Sequence, residues 1–283
     1  MRMTFRSIAT TFLLACSSVS SSLSADQVAL VSVADNTLIE DPAGEYSCGA
    51  AQYFFAGRVG VNGGGYLRRG ALRFNLSSIP AGATINAVSL KMYCSAAGLT
   101  SPYPVALKKF LLSWGEGTSV AFGGGGADAT VGDVTWNLRF YPGQPWPTPG
   151  GAFSTVTSAT KNISGIAFYT WTTTPAMVAD VQGWLNNSAT NFGWCVVGNE
   201  TTMQSAKRFD SRESTAVSAR PLLTVTYTPA PPVNPNDLTG DGRVDGADLS
   251  ILLNAWGTAG PGDLDNNSTV NGADLSILLN AWG

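Results

Sequence analysis

Residues 244–257 and 270–283 are one fourteen-residue stretch written twice, differing only at Asp245 against Asn271. A duplication this close, 26 residues from copy to copy, makes the segment a module of two like halves rather than a tail. What precedes each copy supplies the chemistry. The first is led by Asp237-Leu-Thr239-Gly-Asp241-Gly242-Arg243, the second by Asp263-Leu-Asp265-Asn-Asn267-Ser268-Thr269. Oxygen-bearing groups at positions 1, 3, 5, 7, 9 and 12 of a twelve-residue loop are what a hard cation such as Ca²⁺ requires. The first loop offers Asp237, Thr239, Asp241, the carbonyl of Arg243, Asp245 and Asp248. The second offers Asp263, Asp265, Asn267, the carbonyl of Thr269, Asn271 and Asp274.

Position 6, where the loop turns sharply and a positive φ is needed, holds Gly242 in one copy and Ser268 in the other. Four carboxylates in the first loop against three in the second make the second the weaker site. After each loop, Leu249, Leu252, Leu253 and Trp256, with their twins Leu275, Leu278, Leu279 and Trp282, recur at helical spacing. One loop and one helix cannot bury a core alone, so the two halves are expected to pack face to face.

This pattern over residues 237–283 resembles the type I dockerin, a pair of calcium loop–helix units without the entering helix of an EF-hand. The resemblance implies Ca²⁺ as cofactor and a cohesin-like protein as partner. That family commonly carries hydroxyl residues at loop positions 10 and 11. Here those positions are Gly246-Ala247 and Gly272-Ala273, so a calcium-stabilised module without a partner stays open as an alternative.

At the other end, Arg2 and Arg6 precede an apolar run from Ile8 to Ala15, followed by small residues. This reads as a signal peptide over 1–24 and a secreted, extracellular protein; the rival is a lipid anchor through Cys16. No segment is long and apolar enough to span a bilayer. Export permits disulfides, and Cys48, Cys94 and Cys195 allow one bridge in any of three pairings, or simply buried thiols.

Between signal and module, residues 25–236 hold 13 basic and 12 acidic residues, and without a basic patch nothing argues for nucleic acid. The module itself has seven Asp and one Arg. Residues 229–236 are a proline-rich linker. Residues 25–228 show short alternating segments, 71–76, 87–93, 104–112, 194–198 and 222–227, with one helix over 177–185. The expected fold is mainly β: a jelly-roll-like β-sandwich with a small C-terminal all-α calcium-binding loop–helix pair.

Asp35-Asn-Thr-Leu-Ile-Glu40, Arg69-Gly-Ala-Leu-Arg-Phe-Asn-Leu-Ser-Ser-Ile-Pro80, Ser113-Trp-Gly-Glu116, Val134-Thr-Trp136, Phe209-Asp-Ser-Arg-Glu213 and Arg220-Pro-Leu222 follow in order. Together they resemble the DNRLRE-type domains, jelly-roll sandwiches of secreted polysaccharide-active or surface proteins, some of which bind carbohydrate. The resemblance implies a polysaccharide partner, and the landmarks themselves read as core and corner residues.

Catalysis has little footing. The chain has no histidine, which removes Ser-His-Asp, Cys-His and His-bearing zinc sites. Glu116, Asp128, Asp133 and Arg212-Glu213 lack a spacing that demands acid–base work, and Glu116 and Arg212 read as structural hydrogen bonds or an ion pair. For glycan stacking, residues 140–151 form a proline-held loop that offers Tyr141, Gln144 and Trp146 as a ligand platform. Trp114, Trp136, Trp171, Trp184 and Trp194 read as core. The function expected is a non-catalytic carbohydrate-binding-like sandwich joined to a calcium-binding module for attachment or assembly. The alternatives are a structural or adhesive surface protein without glycan binding, and a carbohydrate-active enzyme of unrecognised type.

Overall fold

The computed structural model describes residues 24–283; the signal-peptide and Cys16 readings fall on residues 1–23 and lie outside the described residues. The described chain forms two compact units, Ser24–Ala230 and Pro231–Gly283. No helix among the described residues is long and apolar enough to cross a membrane.

The first unit is mainly β, as the alternating segments require. Its strands are β1 (Asp26–Ile39), β2 (Tyr46–Ser47), β3 (Tyr53–Arg58), β4 (Leu67–Phe74), β5 (Thr84–Ala97), β6 (Tyr103–Lys109) and β7 (Ala127–Asp128). There follow β8 (Leu138–Phe140), β9 (Gln144–Pro145), β10 (Ala159–Ile163), β11 (Ala167–Trp171), β12 (Trp194–Val197), β13 (Lys207–Asp210) and β14 (Leu222–Thr228), with helix α1 (Pro175–Asn186) between β11 and β12.

Ten strands join in one antiparallel path, β1-β14-β5-β13-β3-β4-β12-β6-β10, with β11 added on β5. Two strands carry the path across. The first half of β1 pairs with β14 and its second half with β4, with a register shift between Ser32 and Ala34. Likewise β3 pairs with β13 through Tyr53–Ala56 and with β4 through Gly57 and Arg58. Gly57 makes the second crossing possible: its φ is +118°, and a Cβ there would lie 2.9 Å from the Cα of Ala206.

Alternation sets the core. In β5, Val88, Leu90, Met92 and Cys94 are buried while the residues between them are half-buried. They meet Leu72, Phe74, Leu107 and Val196 from the other half of the path in one cluster, so both halves share one core. Trp171, Trp184 and Trp194 lie in this cluster, and Trp114 and Trp136 in a second one, as their sequence contexts led us to expect. Helix α1 starts where it does because Thr174 Oγ1 accepts the Met177 amide at 3.0 Å and Pro175 follows. The buried Asp180 is satisfied by Trp194 Nε1 at 2.9 Å and by Lys109 at 3.2 Å. Cys48, Cys94 and Cys195 are all buried and unbridged. Burial pushes the Cys48 and Cys195 thiols up to about 12.

In the second unit, α2 (Gly246–Asn254) and α3 (Gly272–Asn280) are the twinned helices. Val244 and Leu252 pack against Val270 and Leu278 in one small cluster. Reciprocal backbone bonds tie the halves: Gly257 N–H donates to Val270 C=O at 2.8 Å, and Gly283 N–H to Val244 C=O at 3.1 Å. Two halves facing one another are therefore found. The expected four-residue apolar stripe is corrected, because Leu253 and Trp256 remain 50% and 47% exposed. The buried face is turned toward Asp248, Leu252 and Ala255, which leaves Leu253, about 100° from Leu252, beyond its edge.

Candidate functional sites

The twin loops fold alike because the same chemistry recurs in the same phase. Residues at loop positions 4 and 6 have positive φ in both: Gly240 (+75°) and Gly242 (+88°), then Asn266 (+58°) and Ser268 (+72°). Ser268 thus adopts a conformation its Cβ disfavours. In each loop the first Asp gathers successive backbone amides. Asp237 Oδ1 accepts from Gly240 at 2.7 Å and Asp241 at 3.2 Å, and its Oδ2 from Gly242 at 2.7 Å. Asp263 accepts from Asn267 at 3.0 Å and Ser268 at 2.8 Å.

The last acid of each loop also opens its helix. Asp245 and Asp248 form a capping box on α2, and Asn271 and Asp274 form the same box on α3. The Asp245 amide holds the Asp248 carboxyl below the usual carboxylate range, helped by Thr239 and opposed by burial. Burial opposes the same shift in Asp274, yet the amides of Asn271, Asp265 and Leu264 pull its carboxyl down. Both acids are therefore held ionised and point into their loops.

In the second loop, carboxylate oxygens of Asp263, Asp265 and Asp274 lie within 4.8 Å of one another. In the first, the Thr239 hydroxyl bridges Asp237 Oδ1 at 3.1 Å and Asp248 Oδ1 at 3.0 Å. The remaining sequence-read ligands are engaged locally. Asp241 Oδ1 accepts from Arg243 N at 3.0 Å, Asn267 Oδ1 from Thr269 N at 2.9 Å, and Asn271 Nδ2 donates to Thr269 C=O at 2.8 Å. An all-oxygen donor set rich in carboxylate fits a hard divalent cation and not a soft one.

The loop platform is corrected. Trp146 is only 5% exposed. Its indole stacks on Phe110 with ring centroids 5.7 Å apart and planes 13° apart, and Nε1 donates to Thr135 C=O at 3.1 Å. The backbone bond from Trp146 N to Asn137 O turns the proline-rich segment back beside β8. Of its companions, Gln144 is exposed and accepts from Arg139 at 3.0 Å, and Tyr141 is half-buried. The three do not form a platform.

A different aromatic face does exist. The outward residues of β11, β5, β13 and β3 place Phe168, Tyr93, Arg208, Tyr53 and Phe55 across four adjacent strands. Tyr93 and Phe168 are cross-strand partners with ring centroids 4.7 Å apart, and Lys91 Nζ stands 5.2 Å from the Phe168 ring. The Arg208 guanidinium lies 4.0 Å over Tyr53 and is held by Ser95 Oγ at 3.0 Å. Neither Lys91 nor Arg208 has a salt bridge among the described residues. Alternation in Tyr53-Phe-Phe55 was the one local signal for this face. Its assembly depends on strand neighbours up to 155 residues apart in sequence, from Tyr53 to Arg208.

The landmark motifs converge on a carboxylate network. Asp35, Glu116 and Glu213 bring carboxylate oxygens within 4.8 Å of one another. Arg212 Nε sits 2.6 Å from Glu116 and 2.8 Å from Glu213, as the ion-pair reading anticipated for Glu116. The Arg212 amide donates to Asp35 Oδ2 at 2.8 Å, and the Asp35 amide to Glu116 Oε1 at 2.9 Å. Burial raises the Asp35 carboxyl well above its usual range, and Glu116 and Glu213 add to it against the Arg212 amide. Burial also raises Glu213, against the neighbouring guanidinium. Asp35 and Glu116 are bonded to other parts of the fold, so the network ties β1 to two distant turns, while among the described residues Glu213 reaches only Arg212 and leaves its Oε2 without a partner.

No family model matches the sequence, and no curated protein matches it.

Proposed function

We propose that the chain is an exported, non-catalytic protein in which a DNRLRE-type, jelly-roll-like β-sandwich binds polysaccharide and a type I dockerin-like module binds calcium for attachment or assembly. The observation that supports the calcium reading is the twinned loop: carboxylates in the same phase, positive φ at the same two positions, and three acids of one loop within 4.8 Å. Asp237, Thr239, Asp241, the Arg243 carbonyl, Asp245 and Asp248 would hold one ion. Asp263, Asp265, Asn267, the Thr269 carbonyl, Asn271 and Asp274 would hold the other. Bound Ca²⁺ would offset the acidic charge of the module and couple its folding to the metal. A cohesin-like partner would meet α2 or α3, where Leu253 and Leu279 are each 50% exposed.

The polysaccharide reading rests on the aromatic face. Sugar rings stack their C–H faces on such side chains, and two unpaired cations add attraction for an acidic chain. A shallow face buries little area, so affinity is expected on the order of 10–100 µM per site. The non-catalytic reading is supported by the way Asp35, Glu116 and Glu213 are tied to Arg212 and to backbone. Affinity electrophoresis of the full chain through neutral and acidic polysaccharides tests the binding. Retardation that disappears in Phe168→Ala with Tyr93→Ala supports it; no retardation on any of them refutes it.

A further inference from the structure

The aromatic face continues into a slot. Where β3 and β5 end and β13 begins, a cavity of about 310 Å³ is lined by Phe55 and Arg208 of that face. Ala96 and Phe55 are the cross-strand neighbours of Arg208, so slot and face share one surface. The lining positions with the least side chain are Ala96, Gly98 and Ala206, and they leave the slot its depth. The Phe55 ring runs along Gly124, where a Cβ would come within 3.3 Å of Phe55 Cε1. Gln204 in turn lies over Gly60, where a Cβ would stand 2.9 Å from its Cγ and 3.2 Å from its Nε2. Arg208 lends only its stem, because its guanidinium is turned to Tyr53 and Ser95. Every lining residue other than Arg208 and Gln204 is apolar or glycine. Gln204 stands out twice. Its φ of +62° is the one positive value at a non-glycine residue of the first unit among the described residues. Its neighbours Asn199 and Ser205 bond within the turn, yet its own exposed carboxamide bonds nothing among the described residues.

The slot is therefore apolar and uncharged, with one carboxamide on its lining that both donates and accepts. Apolar walls without an ion take a hydrocarbon group. A free carboxamide is matched by a second amide, which offers it an N–H and a C=O. Continuity with a face suited to stacking sugar rings puts both groups on a sugar. An acetamido substituent carries the two together, a methyl and an amide on one ring carbon. We propose that the slot binds the acetamido group of an N-acetylated hexosamine residue, its methyl over Ala96, Gly98 and Ala206 and its amide on Gln204, while the ring stacks on Phe55. This rests on the polysaccharide reading of the aromatic face and adds to it the kind of sugar the face selects.

Calorimetry of the full chain with tri-N-acetylchitotriose and cellotriose tests this, since the acetamido group is what distinguishes these sugars. The acetylated sugar should bind at least about tenfold more tightly, the combined effect of a buried methyl and one or two hydrogen bonds. Gln204→Gly, in which glycine suits the positive φ, should narrow that preference to about threefold or less. Ala96→Leu, which fills the floor, should erase it. If Ala96→Leu fails to fold, Gln204→Gly decides alone. The proposal is overturned if cellotriose binds as tightly as the acetylated sugar, if a folded Gln204→Gly protein keeps the full preference, or if neither sugar gives a saturable heat at millimolar ligand. A chain that another polysaccharide still retards would then keep the reading of the face and lose only the slot. Phe168→Ala, on the face but outside the slot, should weaken both sugars alike and leave their ratio unchanged, so a lost ratio reports on the slot and a loss of both affinities on the face.

Discussion

Arg212→Ala removes the only cation among the described residues that touches Glu116 and Glu213, while leaving the backbone of the network in place. The Arg212 amide would still donate to Asp35 Oδ2, and the Asp35 amide to Glu116. What remains are three carboxylates within 4.8 Å. Removing one partner of a fully buried pair costs about 3–5 kcal/mol. The Arg212 side chain is 38% exposed, so solvent screening reduces this, and we expect about 2 kcal/mol at pH 7. For a unit of this size that corresponds to a Tm lower by about 4–8 °C.

The sign with pH follows from the raised carboxyls. Asp35 and Glu213 are raised by burial in the folded protein. Their contribution to stability is therefore fully present below the unfolded value of about 4 and is lost as pH rises through the folded value. Without Arg212 both carboxyls rise further. The deficit of Arg212→Ala against the parent should be largest near pH 7 and shrink toward pH 5. Thermal melts of both proteins by tryptophan fluorescence at the two pH values measure it, and titrations in the other unit cancel in the difference. A Tm change below about 1 °C at pH 7, or a deficit equal at pH 5, refutes the account of this network.

Other substitutions read other parts of the structure. Trp146→Ala should destabilise the first unit by about 3–5 kcal/mol in urea unfolding, because a stacked, hydrogen-bonded indole leaves a cavity; a stable variant with impaired glycan binding would restore the surface-platform reading. Ser268→Gly should raise the stability of the calcium-loaded module by up to about 1 kcal/mol by relieving a positive φ, seen as a higher midpoint in helical circular dichroism; a lower midpoint contradicts it. Asp35→Asn keeps an acceptor for the Arg212 amide but carries no charge, so it should flatten the dependence of stability on pH between 5 and 7, and an unchanged slope counts against the raised carboxyl.

The parts of this fold that sequence makes legible are local. β4, β5, β6 and β14 alternate, β12 is a short apolar run, and α1 carries a cap, an N1 proline and a helical stripe, so each declares itself within a dozen residues. The twin acidic loops are legible for the same reason, since every residue read as a ligand lies within twelve positions. β1 is not: from Ala34 to Ile39 every residue is buried, including Asp35, Asn36 and Thr37, and a strand covered on both faces has no alternation to read. Trp146 misleads because prolines that suggest an exposed loop also fold it back onto Phe110, 36 positions earlier. The aromatic face arises from strand order, and no spacing along the chain encodes it.

Calcium titration of the purified chain, followed by calorimetry and helical circular dichroism, tests the central claim most directly. Two binding events are predicted, the first loop filling more tightly because it carries four carboxylates against three. EDTA should lower the helical signal and Ca²⁺ restore it, and Asp237→Ala with Asp248→Ala should remove the tighter event while leaving the other. Absence of any calcium uptake at millimolar ion, with α2 and α3 equally helical in EDTA, would contradict the assignment of these loops.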